Sequence, residues 1–292
     1  MSILEFFSVS PTAFAIFVSI LGLLIGSFLN VVIYRLPVMM ERDWKQQCEE
    51  FLADDDIPSP NEHRERFDLT LPRSRCSKCN QSIAAWDNIP VFSYIILGGK
   101  CRHCKTRISF RYPFVELLTA AASVAVAMHF GFSIQALFAL VLTWALIALT
   151  FIDYDTQLLP DDITLPLLWL GLIISIESVF VGPVTSIIGA VAGYLSLWLV
   201  YQVFKLVTGK EGMGFGDFKL LALLGAWLGW QMLPLVILLS SIVGAVIGIS
   251  LVLIKKHNKD HPIPFGPYLA IAGWVALLYG EAIIDQYLTL TI

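Results

Sequence analysis

Apolar residues run along the chain in eight long stretches separated by short polar breaks. Most approach the roughly 20 residues a helix needs to cross a bilayer. They cover Thr12 to Tyr34, Pro113 to Phe130, Ile134 to Ile152, Ile163 to Val181, Val184 to Val207, Phe218 to Trp230, Leu233 to Ile254 and Phe265 to Tyr287. The sixth is short, and Gln231 and Pro234 blur its boundary with the seventh. A single large polar segment, Arg35 to Arg111, separates the first stretch from the second. The pattern predicts an all-α polytopic membrane protein of about eight transmembrane helices. Its parts are a first helix over 1–34, a small polar domain inserted over 35–111, and about seven helices over 112–292.

Composition decides that these stretches are spans and not buried core helices. Apolar residues make up 57% of the chain and charged residues 14%, and the mean hydropathy of +0.75 lies outside the range of soluble domains. A formal net charge of -4, with no basic face, gives no reason to expect nucleic acid as a partner. The opening MSILEFF carries Glu5 and no Lys or Arg, so it lacks the basic start of a cleaved signal and reads as a retained span.

Basic residues orient the chain. All but six of the 19 lie in 35–111, and the six (Lys205, Lys210, Lys219, Lys255, Lys256, Lys259) flank two later loops. With eight spans every one of them falls on the same side, while the opposite loops, His129 to Ser133 and Gly182 with Pro183, have none. The positive-inside rule makes the basic side cytoplasmic.

The polar segment holds two CxxC pairs, CSKCNQSI and CRHCKTRIS, in which Cys76 and Cys79 are separated from Cys101 and Cys104 by 21 residues. This is the pattern of a four-cysteine zinc site, and four thiolates leave no open position, so the metal's expected role is structural. In a reducing compartment disulfides are the poorer reading. Cys48 stands apart as a bystander, and His103 reads as a solvated knuckle residue.

Acids near spans are functional candidates by default because they are costly there. Glu177, Glu281 and Asp285 have no companion motif and read as interfacial. Asp153, in LTFIDYDTQLLPDD, ends the third span shortly before Pro160. Asp217 follows Gly212, Gly214 and Gly216, whose tolerance of positive φ suits a tight backbone approach. Both acids are expected at the cytoplasmic level. They read equally as an aspartyl pair activating water or as helix-capping acids, since Asp217 is a natural N-cap for the sixth span. The helix dipole sets them apart, favouring the anion at Asp217 on a helix N-terminus and not at Asp153 on a C-terminus. GKEGMGFGD is no nucleotide loop, because it lacks the Lys-Ser/Thr ending.

Five motifs in order, GLLIGSFLNVVIYRLP, the double CxxC, RYPFVELLTA, DYDTQLLPD and GFGDFKLLALLGAWLGW, resemble those of the bacterial type IV prepilin peptidases. These are bifunctional leader peptidases and N-methyltransferases of the GxGD class of intramembrane aspartyl proteases. The resemblance spans nearly the whole chain; its one departure is an acidic insertion around Arg42 to Asp68. It implies Asp153 and Asp217 as the catalytic pair, a site at the cytoplasmic face of the bacterial inner membrane, and prepilins and pseudopilins of type IV pili or type II secretion as substrates. It also implies N-methylation by S-adenosylmethionine, for which Gly26, Asn30, Arg35 and Glu116 are the candidate residues. No Rossmann-type glycine signature marks the methyl donor's place.

Such substrates bring a basic leader and an apolar helix. An acidic mouth from Asp155, Asp161 and Asp162, with membrane lipid flanking a lateral groove, would match them, and a solvated acidic loop is the equal alternative for these residues. A non-enzymatic zinc-containing membrane scaffold is the rival reading, with the acids as caps. A proton-coupled transporter is a second, disfavoured because its acids belong near mid-membrane.

Overall fold

The computed structural model describes residues 3–52, 66–76, 78–255 and 264–291. Lys256, Lys259 and residues 53–65 of the acidic insertion lie outside the described residues. Within them the chain is helical, forming two compact units, one of residues 12–125 and one of residues 1–11 with 126–292.

The first unit contains α2 (Pro11–Leu52), a short α3 (Phe92–Ile96) and the start of α4 (Arg111–Phe130). The helix α2 does not stop at Tyr34 but runs on through Pro37 into charged sequence as far as Leu52. Small residues bring α2 and α4 together: a Cβ at Gly22 would stand 2.7 Å from the Ala120 Cα, and one at Gly26 2.7 Å from the Glu116 Cα. Between these helices the two CxxC segments form matching turns. Cys76 N–H donates to Gln81 O and Cys101 N–H to Thr106 O, and Asn80 and Lys105, each directly after a second cysteine, take the left-handed conformation.

The second unit comprises α1 (Ile3–Val9), the end of α4, α5 (Ile134–Thr156), α6 (Asp161–Ser175), α7 (Pro183–Thr208), α8 (Phe215–Leu228), α9 (Leu233–Lys255) and α10 (Gly266–Thr291). All eight apolar stretches thus become helices, but only α2, α4, α5, α7, α9 and α10 are long and apolar enough to cross a membrane. At 1.5 Å per residue, α6 and α8 reach about 21–23 Å against a hydrocarbon core of about 30 Å.

The reason α8 is short and apolar on every side is its position. It packs against α6, α7, α9 and α10, with Phe218, Leu220, Leu221, Leu223, Leu224 and Trp227 fully or almost fully buried. A helix enclosed by others has no polar face to present. Gly189 of α7 and Gly225 of α8 meet backbone to backbone, Ser186 Oγ donates to Ala226 O at 2.6 Å, and Trp227 Nε1 donates to Leu167 O of α6 at 2.8 Å. On the other side Trp274 of α10 donates to Thr143 of α5 at 3.1 Å.

Candidate active site

Asp153 occupies the last turn of α5 and Asp217 the first turn of α8. They are 5% and 8% exposed, and close enough for the charge of Asp153 to be felt at Asp217. The fold brings both to one end of the second unit, since α5 must finish where α6 begins and α7 where α8 begins.

Two expectations about Asp217 change. The N-cap of α8 is Gly214, so Asp217 is not the cap but the third helical residue. From there its carboxyl turns back toward the Gly214 amide, as the acid of a capping box does. Nor do the three glycines serve through positive φ: Gly214 has φ −79°, and Gly212 and Gly216 lie outside the left-handed region. They serve through proximity. A Cβ at Gly216 would stand 2.8 Å from the Leu159 Cβ, and one at Gly212 2.7 Å from the Phe204 ring.

The dipole contrast between the acids also fails. Asp153 ends α5 as expected, but Gly266, the first residue of α10, sets a second helix N-terminus against its carboxyl. A Cβ at Gly266 would stand 2.6 Å from Asp153 Oδ2. Both acids therefore lie beside helix N-termini, so the dipole no longer tells them apart. Asp153 Oδ2 is buried with no hydrogen-bond partner among the described residues.

Leu159 links the two halves of the site, packing on Gly216 and also approaching Gly266. Beyond it Asp161 opens α6 and receives Lys219 of α8, with Nζ 2.8 and 2.7 Å from its two oxygens. Asp155, Asp161 and Asp162 are exposed near the same end, and Asp161 is paired with Lys219. Glu177, Glu281 and Asp285 are exposed.

In the first unit the four cysteines converge, their sulfurs all within 4.8 Å of one another. Cys76 and Cys104 Sγ are 3.7 Å apart, close to the edge of about 3.8 Å that a tetrahedron with metal–sulfur bonds of about 2.3 Å requires. The quartet can hold a metal ion. The Thr106 hydroxyl, 3.2 Å away, helps bring the Cys104 thiol down to about 6, toward the thiolate a metal needs. His103 is exposed and outside the cluster, and Cys48 lies exposed on the distal end of α2.

The four candidate positions Gly26, Asn30, Arg35 and Glu116 on α2 and α4 all carry internal contacts. Glu116 Oε2 accepts from Val91 N–H at 2.8 Å, Asn30 donates to Gly26 O and Tyr112 O, and buried Arg35 donates to Asp68 O and Pro72 O with Phe67 beneath it.

Two family models match the chain: the bacterial peptidase A24 N-terminal domain over residues 20–130, which contains the cysteines, and the type IV leader peptidase family over 140–249, which contains both acids. Among curated relatives, the prepilin leader peptidase/N-methyltransferase of Stutzerimonas stutzeri is 57% identical, covering 99% of this chain and 98% of its own. The protein of that name from Pseudomonas aeruginosa is 54% identical over the same shares, and that from Legionella pneumophila 46% over 93% of each. This chain belongs to the type IV leader peptidase family. No solved structure matches it.

Within this leader peptidase fold, sequence reasoning misses Leu159 and Gly266 and does not connect Asp161 to Lys219. Leu159 is one apolar residue among many and carries no signal. Gly266 does carry one: in FGPYLA a glycine and a proline open an apolar run, the composition of a helix start that must approach something closely.

Proposed function

We propose that this multi-pass membrane protein is an aspartyl endopeptidase that cleaves the basic leader of type IV prepilins and pseudopilins at the cytoplasmic face of the bacterial inner membrane, and then methylates the new N-terminus. Asp153 and Asp217 are the catalytic pair. In this reading one carboxylate takes a proton from the attacking water while the other, protonated, gives its proton to the scissile amide, so the pair works with one shared proton. The exposed acids Asp155 and Asp162 attract the leader's positive charges, and residues 112–292 form the peptidase core that lipid surrounds. Nucleic acid has no part in it.

The observation that carries this reading is Asp153. A buried carboxyl oxygen left without a hydrogen bond, beside a second buried acid, costs free energy that a scaffold would have no reason to retain. The acids also stand at helix ends, and not midway along spans as a transporter's would.

The cysteine quartet suits Zn2+, which would fold the 35–111 domain and supply no chemistry of its own. S-adenosylmethionine is the proposed methyl donor. Gly26, Asn30, Arg35 and Glu116 remain the positions proposed for the methyl-transfer half. Their contacts suit a frame holding α2, α4 and the cysteine segment, not a free ligand set, so no step through the donor is derived from them.

Purified protein incubated in detergent with a prepilin should yield a product lighter by the leader, and heavier by one methyl group when S-adenosylmethionine is present, read by mass spectrometry. Asp153→Asn and Asp217→Asn should each abolish cleavage while leaving the helical spectrum and Tm near wild type. Cleavage surviving in either variant would sink the pair.

A further inference from the structure

We propose that the Lys219–Asp161 ion pair is a positioning latch that holds the first turn of α8 in register with the end of α5, and so sets the separation of the two acids; this rests on the reading of Asp153 and Asp217 as the catalytic pair. The path of the chain makes the case. After Asp153, α5 ends at Thr156, Gln157 turns the chain in the left-handed conformation, and residues 158–160 lead over Gly216 into Asp161. Asp161 is then gripped through both oxygens by Lys219, in a contact spanning 58 positions of sequence. A closed loop results: Asp153 to Asp161 along the backbone, Asp161 to Lys219 through the ion pair, Lys219 to Asp217 along α8, and Asp217 back to Asp153 through space.

Helix geometry lets Lys219 serve the loop without competing for it. Residues two apart on a helix point to different sides, so Lys219 can face α6 while Asp217 faces Asp153. Deeper in the unit α8 is already pinned to α6 by Trp227 on Leu167 O. Near the start of α8, where Phe218 is already buried among its neighbours, the ion pair adds a polar link to α6 that fixes how the first turn presents Asp217. Its side chains are 29% and 51% exposed, and an ion pair so open to water adds little to global stability. Its contribution is therefore geometric, and misplacement of a catalytic group by an ångström is enough to lower turnover about a hundredfold.

The test is steady-state cleavage of a purified prepilin by the full chain in detergent, with kcat, KM and Tm read separately. Lys219→Gln and Asp161→Asn should each lower kcat by about ten- to a hundredfold with KM and Tm nearly unchanged. Lys219→Arg and Asp161→Glu, which keep the pair, should retain most of kcat. The exchange Lys219→Asp with Asp161→Lys should recover activity relative to either reversal alone. A raised KM at constant kcat in Asp161→Asn would overturn the latch, since Asp161 would then be a contact for the basic leader. A fall in kcat that follows a fall in Tm would overturn it too, as would wild-type kinetics in both neutral variants. Asp153→Asn and Asp217→Asn run alongside: if these are inert while the latch variants are normal, only the latch fails, and if these still cleave, the catalytic pair itself is wrong.

Discussion

Gly266 touches Asp153: the first residue of α10 lies so near the carboxyl ending α5 that an added Cβ would stand 2.6 Å from Oδ2. Since that oxygen is the far end of a side chain, it can swing aside and the helices need not move. Gly266→Ala should therefore spare the fold and damage the site, lowering kcat by about a hundredfold with Tm close to wild type. Parallel cleavage assays and thermal melts check it.

The contact of Gly189 with Gly225 has the opposite character, because there the obstructing atoms are backbone. Gly189→Ala must push α7 away from α8, and overpacking of this kind costs about 1–3 kcal/mol. A lowered midpoint of unfolding in denaturing detergent is the expected result. Activity should decline only as the folded fraction does.

Metal removal should act locally. With zinc in the proposed site, treating the protein with a strong chelator, or replacing Cys101 by Ser, should lower the zinc measured by elemental analysis toward none. Amide protection should vanish at the two turns after Cys79 and Cys104, whose hydrogen bonds close only when the sulfurs converge. Protection in α5, α7 and α8 should persist, since they belong to the other compact unit.

Acid should loosen the turn at Asp68 late. Its carboxylate accepts from the Thr70 hydroxyl, the Leu71 and Thr70 amides and Arg66, and these donors hold it well below the usual carboxylate range. A lowered folded value means the stabilisation is complete above the ordinary range near pH 4 and is lost as pH falls below it. Hydrogen exchange at the Thr70 and Leu71 amides should stay slow at pH 5 and quicken only under stronger acid. In Asp68→Asn this pH dependence should disappear.

Hydropathy and spacing were enough to locate every long helix, the cysteine quartet and the two acids. Each is a local property: a run of apolar residues, a CxxC spacing, a carboxyl beside a span. What those acids face is not local. Asp217 looks like a helix cap until Gly214 is seen to cap α8, which starts at Phe215, and the dipole assigned to Asp153 from its own helix is offset by another, arriving from α10 far along the chain.

By itself the sequence determined that this chain lives in a membrane, where its helices lie, and which acids and thiols are worth examining, because hydrophobic length and ligand spacing are written in consecutive residues. Only the tertiary structure decided that α6 and α8 are too short to span alone, that Gly266 meets Asp153 while Leu159 packs on Gly216, and that Lys219 belongs to Asp161. Those facts depend on which helices pack together, and packing joins residues whose separation in sequence carries no mark of the contact.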